Sequence, residues 1–195
     1  MSELRLRILC FGDSLTAGFQ SPSPDCPEYL ETPYGEFLQT RLGDRAHVCV
    51  SGMCGELTAE MVRRFPGAAA GVQPVWAIIL GGTNDLGWNV PPADILRNLG
   101  ALHEHAAAHG IRSVAVTVPS IRGFDDHIPR RRELNGSLAE YCTGRKIPCV
   151  DLFAATAESE TGCLAEPYSN DGLHLTTAGY QLLAHLLYEQ VFQAI

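Results

Sequence analysis

One hexapeptide, Val75-Trp76-Ala77-Ile78-Ile79-Leu80, constrains the fold more than any other part of the chain. It is apolar without alternation. A strand built from it has no face to offer water and must be covered on both sides. Three more apolar runs read as strands, at residues 6–11, 46–50 and 111–118, with a weaker one at 147–152. Helical patterns lie between them at 34–42, 57–65, 93–109, 131–144 and 177–192. The second has Gly67 beyond its end, and the third closes on Gly110, a good stop signal. The last carries Leu182, Leu183, Leu186, Leu187 and Val191 at helical spacing. Strand and helix thus alternate from end to end, which predicts an α/β sandwich with a parallel sheet and right-handed crossovers. The 195 residues suit one domain over 1–195, and no internal repeat or linker interrupts them.

Charge narrows the function classes. The net charge is −8, and the densest basic stretch is Arg130-Arg131-Arg132, read here as a solvated helix start. A nucleic-acid partner would need a basic face, so none is expected. No apolar run approaches the ~18 residues of a membrane span, so stable insertion in a membrane is not expected either. Seven cysteines stand at 10, 26, 49, 54, 142, 149 and 163, an odd number with no C-x-x-C pair. Cys10 and Cys49 lie in apolar runs, where a free thiol packs as a small hydrophobe. A zinc site or a disulfide framework is not expected, and a reducing compartment is. The first eleven residues run straight into a strand without room for a signal peptide, which agrees with a cytoplasmic location.

Three loops follow strand C-terminal ends, at 21–27, 86–92 and 119–129. In open α/β sheets ligands bind at that edge. The chemistry-bearing residues gather around it. Gly12-Asp13-Ser14-Leu15-Thr16 comes directly after the first strand, where Gly12 permits a tight turn and Ser14 stands at the edge. On its own the segment would equally suit a helix cap. Asp171-Gly172-Leu173-His174 precedes the last helix, and two side chains three residues apart can share one side of a turn. His174 could then face Ser14 while Asp171 orients its other nitrogen. Taken alone, the pair would equally be surface residues. Gly81-Gly82-Thr83-Asn84-Asp85 follows the third strand and offers the Asn84 amide as a donor, or simply a turn that Asp85 supports. Ser51-Gly52-Met53-Cys54-Gly55-Glu56 follows the second strand and offers the Gly55 N–H, or an ordinary helix-start loop.

The joint pattern is specific. Gly12-Asp13-Ser14-Leu15, Gly82-Thr83-Asn84-Asp85 and Asp171-Gly172-Leu173-His174, in this order, resemble the sequence blocks of the SGNH (GDSL-type) hydrolases over essentially the whole chain. The resemblance implies a three-layer α/β/α sandwich on a mainly parallel, five-stranded, flavodoxin-like sheet. It implies a serine esterase acting on small to medium carboxylic esters, with no metal and no organic cofactor. It assigns Ser14 as nucleophile, His174 as general base and acid, and Asp171 as the residue that orients His174. It assigns the oxyanion hole to the Ser14 N–H, the Gly55 N–H and the Asn84 side-chain amide. The second block departs from the family pattern: Ser51 stands for Asn and Cys54 for Ser, which leaves Gly52 as the alternative donor to Gly55. Cys54 also suggests sensitivity to thiol reagents.

The α/β-hydrolase alternative fits worse, because its nucleophile elbow needs Gly-x-Ser-x-Gly and no such string occurs. A sugar deacetylase or an acyl thioesterase would use the same machinery, and a non-catalytic binding protein on this fold would have no need of all four residues. His103, His105 and His109 read as a solvated helix face rather than a metal site, and Asp125-Asp126-His127 lacks the spacing of any known metal loop. Trp88 and Phe124 are candidates to line an acyl or alcohol pocket. The loops at 20–33, 86–92 and 119–130 set the shape of that pocket. The oligomeric state is not written in the sequence.

Overall fold

The computed structural model describes residues 5–24 and 27–195, so Asp25 and Cys26 of the first loop lie outside the described residues. The central sheet contains β1 (Leu6–Gly12), β4 (Ala46–Gly52), β5 (Trp76–Leu80), β6 (Arg112–Val116) and β7 (Cys149–Val150), in the order β4-β1-β5-β6-β7 and parallel throughout. Counted along the chain, that is the 2-1-3-4-5 order of the flavodoxin-like sheets. Two two-residue strands, β2 (Phe19–Gln20) and β3 (Leu30–Glu31), pair antiparallel outside it.

The pleat sorts side chains to two faces, each covered by helices. Ile8 and Cys10 of β1 and Ile78 of β5 point into one core cluster, with Leu38 of α2 (Tyr34–Leu42) and Leu183 and Leu187 of α8 (Thr177–Leu187). Leu9, Phe11, Ala77 and Ile79 point into the other, with Met61 and Phe65 of α3 (Thr58–Val72), Leu99 of α5 (Pro92–Ala108) and Leu134 of α6 (Ile128–Arg145). Residues 76–80 are therefore covered on both faces, as the lack of alternation requires, whereas Val75, ahead of the strand, is exposed.

Several boundaries differ from the sequence expectation. Helix α3 does not stop before Gly67 but runs through Pro66 and Gly67 to Val72. Met61, Phe65 and Ala69, four apart, are buried against the sheet, whereas Pro66 and Gly67 face solvent. Burial of the apolar face outweighs the two breakers. The fifth strand shrinks to Cys149–Val150, and α8 gives way at Leu187 to one π-helical turn, Tyr188–Phe192, whose Phe192 is buried. Three short helices carry no periodic signal long enough to read: α1 (Ser14–Ala17), α4 (Thr83–Gly87) and α7 (Leu152–Thr156).

Two expected solvated residues are core residues instead. His103 is buried on α5, its Nδ1 2.8 Å from Ser113 Oγ, and burial pushes the imidazole down to about 4. His105 and His109 of the same helix stack at 4.2 Å, and His109 is exposed. Arg131, the middle of the basic triplet, is 2% exposed. It shares the helix face of Leu134 and Leu138, which a spacing of three and seven dictates. Among the described residues no helix is long and apolar enough to cross a membrane, and no group of three or more His, Cys, Asp or Glu is placed to hold a metal.

Candidate active site

In the order β4-β1-β5 the chain runs from the sheet centre outward on both sides, so the crevice opens at the carboxyl ends of β1 and β5. Ser14 follows β1 there, and Asn84 follows β5. Gly12 ends β1 because nothing larger fits: a Cβ on it would lie 2.0 Å from the Leu80 carbonyl oxygen. Asp13 caps α1 through a 2.9 Å bond that its Oδ1 accepts from the Leu15 N–H. Ser14 thereby becomes the first residue of α1 and is 3% exposed.

The turn at 171–174 brings a histidine to this serine across 160 residues of sequence. Ser14 Oγ is 3.1 Å from His174 Nε2, and His174 Nδ1 is 2.8 Å from Asp171 Oδ2. Gly172 makes the turn possible: its φ is +82°, and a Cβ there would meet the Arg122 carbonyl oxygen at 2.2 Å. The Phe19 ring packs edge-on against His174, with centroids 4.6 Å apart.

Asp171 is held as an anion. Its Oδ1 accepts from the N–H of Leu173 at 2.8 Å and of His174 at 2.7 Å, and its Oδ2 accepts from Ser21 Oγ at 2.5 Å. Burial alone would raise its carboxyl, but the hydrogen bonds from His174, Ser21 and the two amides outweigh that and hold it well below the usual carboxylate range. Asp13 shows the reverse. Burial pushes its carboxyl up to about 7 against the pull of the Leu15 N–H and of His174, and its Oδ2 has no partner among the described residues.

Asn84 and the 51–56 loop are fixed by a network that the sequence motifs do not contain. Asn84 Nδ2 donates to the Glu56 carbonyl at 3.0 Å, which leaves its second amide hydrogen free of that bond. Arg64 donates to the Glu56 carboxylate, to Ser51 Oγ at 2.6 Å and to the Gly12 carbonyl at 3.0 Å, and it lies 4.1 Å over the Phe11 ring. One guanidinium thus ties the ends of β1 and β4 to the start of α3. The motifs do not mark it, because its partners lie on other segments of the chain. Ser21 likewise carries no signal, lying 150 residues from its partner.

The two candidate oxyanion glycines differ. Gly52 is the last residue of β4, opposite Gly12, and a Cβ there would lie 2.1 Å from the Ala17 nitrogen. Gly55 is exposed, with φ +78° and open space around it, and its N–H has no partner among the described residues. Asp85 serves structure: buried, it accepts from the Thr58 N–H and from Thr58 Oγ1 at 2.6 Å and so fastens the start of α3. Cys54 is exposed; partial burial, then the carboxylates of Glu31 and Asp13, raise its thiol.

A cavity of about 420 Å³ adjoins Asn84. Trp88, Phe124, Ile121 and Leu173 form its apolar walls, with Arg131 and His127 as its ionisable groups. Trp88 and Phe124 thus both line a pocket beside the candidate centre.

The chain matches the model of the GDSL-like lipase/acylhydrolase family over residues 10–182. No curated protein matches it in sequence. Among solved structures it resembles an aryl esterase from Mycobacterium smegmatis, with 22% identity and a TM-score of 0.79 over 97% of this chain and 100% of that one. A carbohydrate acetylesterase from Sinorhizobium meliloti is similar at 23% identity and a TM-score of 0.77, over 98% and 100% of the two chains. A GDSL-like lipase from Bacteroides thetaiotaomicron is similar at 21% identity and a TM-score of 0.79, over 97% and 89%.

Proposed function

The chain belongs to the GDSL-like lipase/acylhydrolase family, and from that premise we propose that it hydrolyses small to medium carboxylic esters through a covalent Ser14 intermediate. The observation that carries the reading is the pair of hydrogen bonds, 3.1 Å and 2.8 Å, running from Ser14 through His174 to Asp171 at the open edge of the sheet.

Each step follows from a group in place. Asp171, an anion, accepts from His174 Nδ1 and so leaves Nε2 as the basic nitrogen facing Ser14. Ser14 Oγ attacks the ester carbonyl while its proton passes to Nε2. The resulting imidazolium is paired with Asp171 and gives the proton to the departing alcohol. Water repeats the cycle on the acyl-enzyme, with His174 again as base. The oxyanion is stabilised by the N–H of Ser14, the N–H of Gly55 and the Asn84 amide hydrogen not engaged by Glu56. One such donor is worth roughly 3 kcal/mol in other hydrolases. The same geometry serves a sugar acetate or an acyl thioester, and the resemblance to a carbohydrate acetylesterase makes sugar acetates the second substrates to try.

The test is hydrolysis of 4-nitrophenyl acetate, butyrate and octanoate by the wild type and by Ser14→Ala. Activity in the wild type and a loss of about 10⁶-fold in kcat for the variant are expected. Retained turnover in Ser14→Ala removes Ser14 from the mechanism.

A further inference from the structure

Arg131 is a buried cation whose charge the protein does not match. Its Nη1 donates to Thr83 Oγ1 and to the Pro119 carbonyl, both at 3.0 Å, which uses both Nη1 hydrogens. Among the described residues its Nε has no partner, and Nη2 makes no hydrogen bond. The Nε–H and the adjacent Nη2–H form one edge of the guanidinium, the edge that grips both oxygens of a carboxylate.

No anion among the described residues fills that edge. Burial pulls the guanidinium down to about 10 and the field of Asp13 raises it, so it stays charged at neutral pH. Asp13 makes no hydrogen bond to it and is itself pushed up to about 7, half-neutral where the cation is whole. An uncompensated buried charge is expensive and calls for a counter-ion. Arg131 lines the cavity of about 420 Å³ beside Asn84, and among the described residues none that lines it is acidic. The chain as a whole carries 22 acidic residues against 14 basic. Trp88, Phe124 and Leu173 leave the rest of the wall apolar.

We propose that this cavity receives the carboxylate of the substrate, and that Arg131 selects esters bearing a carboxylate separated from the ester bond by an apolar or aromatic spacer. The proposal rests on the serine-esterase reading and names its substrate class. Arg131 acts here as a specificity-determining residue, through the guanidinium hydrogens that no described protein group engages.

The test compares two charged esters with their uncharged carboxamide counterparts. One pair, 4-acetoxybenzoate and 4-acetoxybenzamide, carries the group on the alcohol side. The other, the 4-nitrophenyl monoester of adipic acid and its terminal amide, carries it on the acyl side. In the wild type one charged ester should exceed its amide by about tenfold or more in kcat/KM, mainly through KM, as a bidentate charge-assisted pair implies. Arg131→Lys keeps the charge and loses the fork, so the ratio should fall towards one. Equal rates within both pairs overturn the proposal and leave the esterase reading intact. If none of the four esters turns over, the esterase reading fails, and thermal melting with benzoate and with benzamide decides the cavity. A rise in Tm from benzoate alone, absent in Arg131→Lys, upholds the carboxylate site, and equal shifts or none overturn it.

Discussion

Two carboxyls within reach of His174 are driven in opposite directions, and the contrast governs how the molecule answers to pH. Asp171 accepts four hydrogen bonds at or below 2.8 Å, from Ser21, the N–H groups of Leu173 and His174, and His174 Nδ1. Its folded carboxyl is depressed, so its stabilising share is complete above the unfolded value of ~3.9 and is lost only as pH falls through the lower folded one. Asp171 therefore contributes no slope between about pH 4 and 7. Asp13 has a raised carboxyl, at about 7, so the native state holds an extra proton between ~3.9 and that value, and stability falls as pH rises through this window. Asp13→Asn keeps an acceptor for the Leu15 N–H and removes the titration. Its stability relative to wild type should climb from about pH 4 to 7 and then level. The gain should reach a few kcal/mol, because each pH unit crossed inside the window is worth about 1.4 kcal/mol. Urea melts at several pH values check this, and parallel curves for the two proteins overturn it. Ser21→Ala removes one of the bonds that depress Asp171. It should lower kcat about tenfold, the equivalent of ~1.4 kcal/mol, and leave KM unchanged. A wild-type kcat in the variant denies Ser21 a positioning role.

Pro66 tests how far packing overrides local preference. It sits inside α3 on the solvent side, where it removes a backbone donor, while Met61, Phe65 and Ala69 hold the helix to the sheet. Pro66→Ala should restore the missing bond and stabilise the protein by about 1–3 kcal/mol, less what the freer unfolded chain regains. A lower urea midpoint for the variant contradicts the account. The same helix marks the limit of what could be read from sequence. A Pro-Gly pair is a local stop signal, and only the buried positions of residues 61, 65 and 69 show why it fails. The longer elements were legible because their periodicity extends over several turns or a whole strand. Helices α1, α4 and α7, of four or five residues, are made by caps and loop contacts and leave no periodic trace. Ser14, Asp171, His174 and Asn84 were legible as motifs. Their supports, Arg64 and Ser21, were not, because each acts by contact with a residue from another segment. Arg131 was legible in part: its spacing to Leu134 and Leu138 marks a buried face, but charge suggested solvent.

At the scale of the whole molecule the two ends of the sheet carry separate burdens, and the two tryptophans of the chain, one at the start of β5 and one after α4, display them. Trp76 starts β5 and is 8% exposed, packed edge-on against Phe192 at 5.4 Å. Trp88 follows α4 at the opposite end and is 76% exposed, on the wall of the cavity beside Asn84. Phe124, at 67% exposed, faces the same cavity. Large apolar groups left in water around a candidate site hold contact area for a ligand rather than for the core. Substitution should therefore split stability from catalysis. Trp76→Ala opens a core cavity and should cost about 3–5 kcal/mol, while the protein that remains folded keeps the wild-type KM for 4-nitrophenyl butyrate. Trp88→Ala loses little buried area, so its stability should stay within about 0.5 kcal/mol of wild type. On the proposed reading, in which the aromatic wall of this cavity meets the substrate, its KM should rise several-fold. The check is a urea melt and a Michaelis–Menten series on each variant. A Trp88→Ala enzyme with unchanged KM for every chain length would move substrate binding away from this cavity. A Trp76→Ala enzyme with altered KM but normal stability would show that the far end of the sheet reaches the active edge after all.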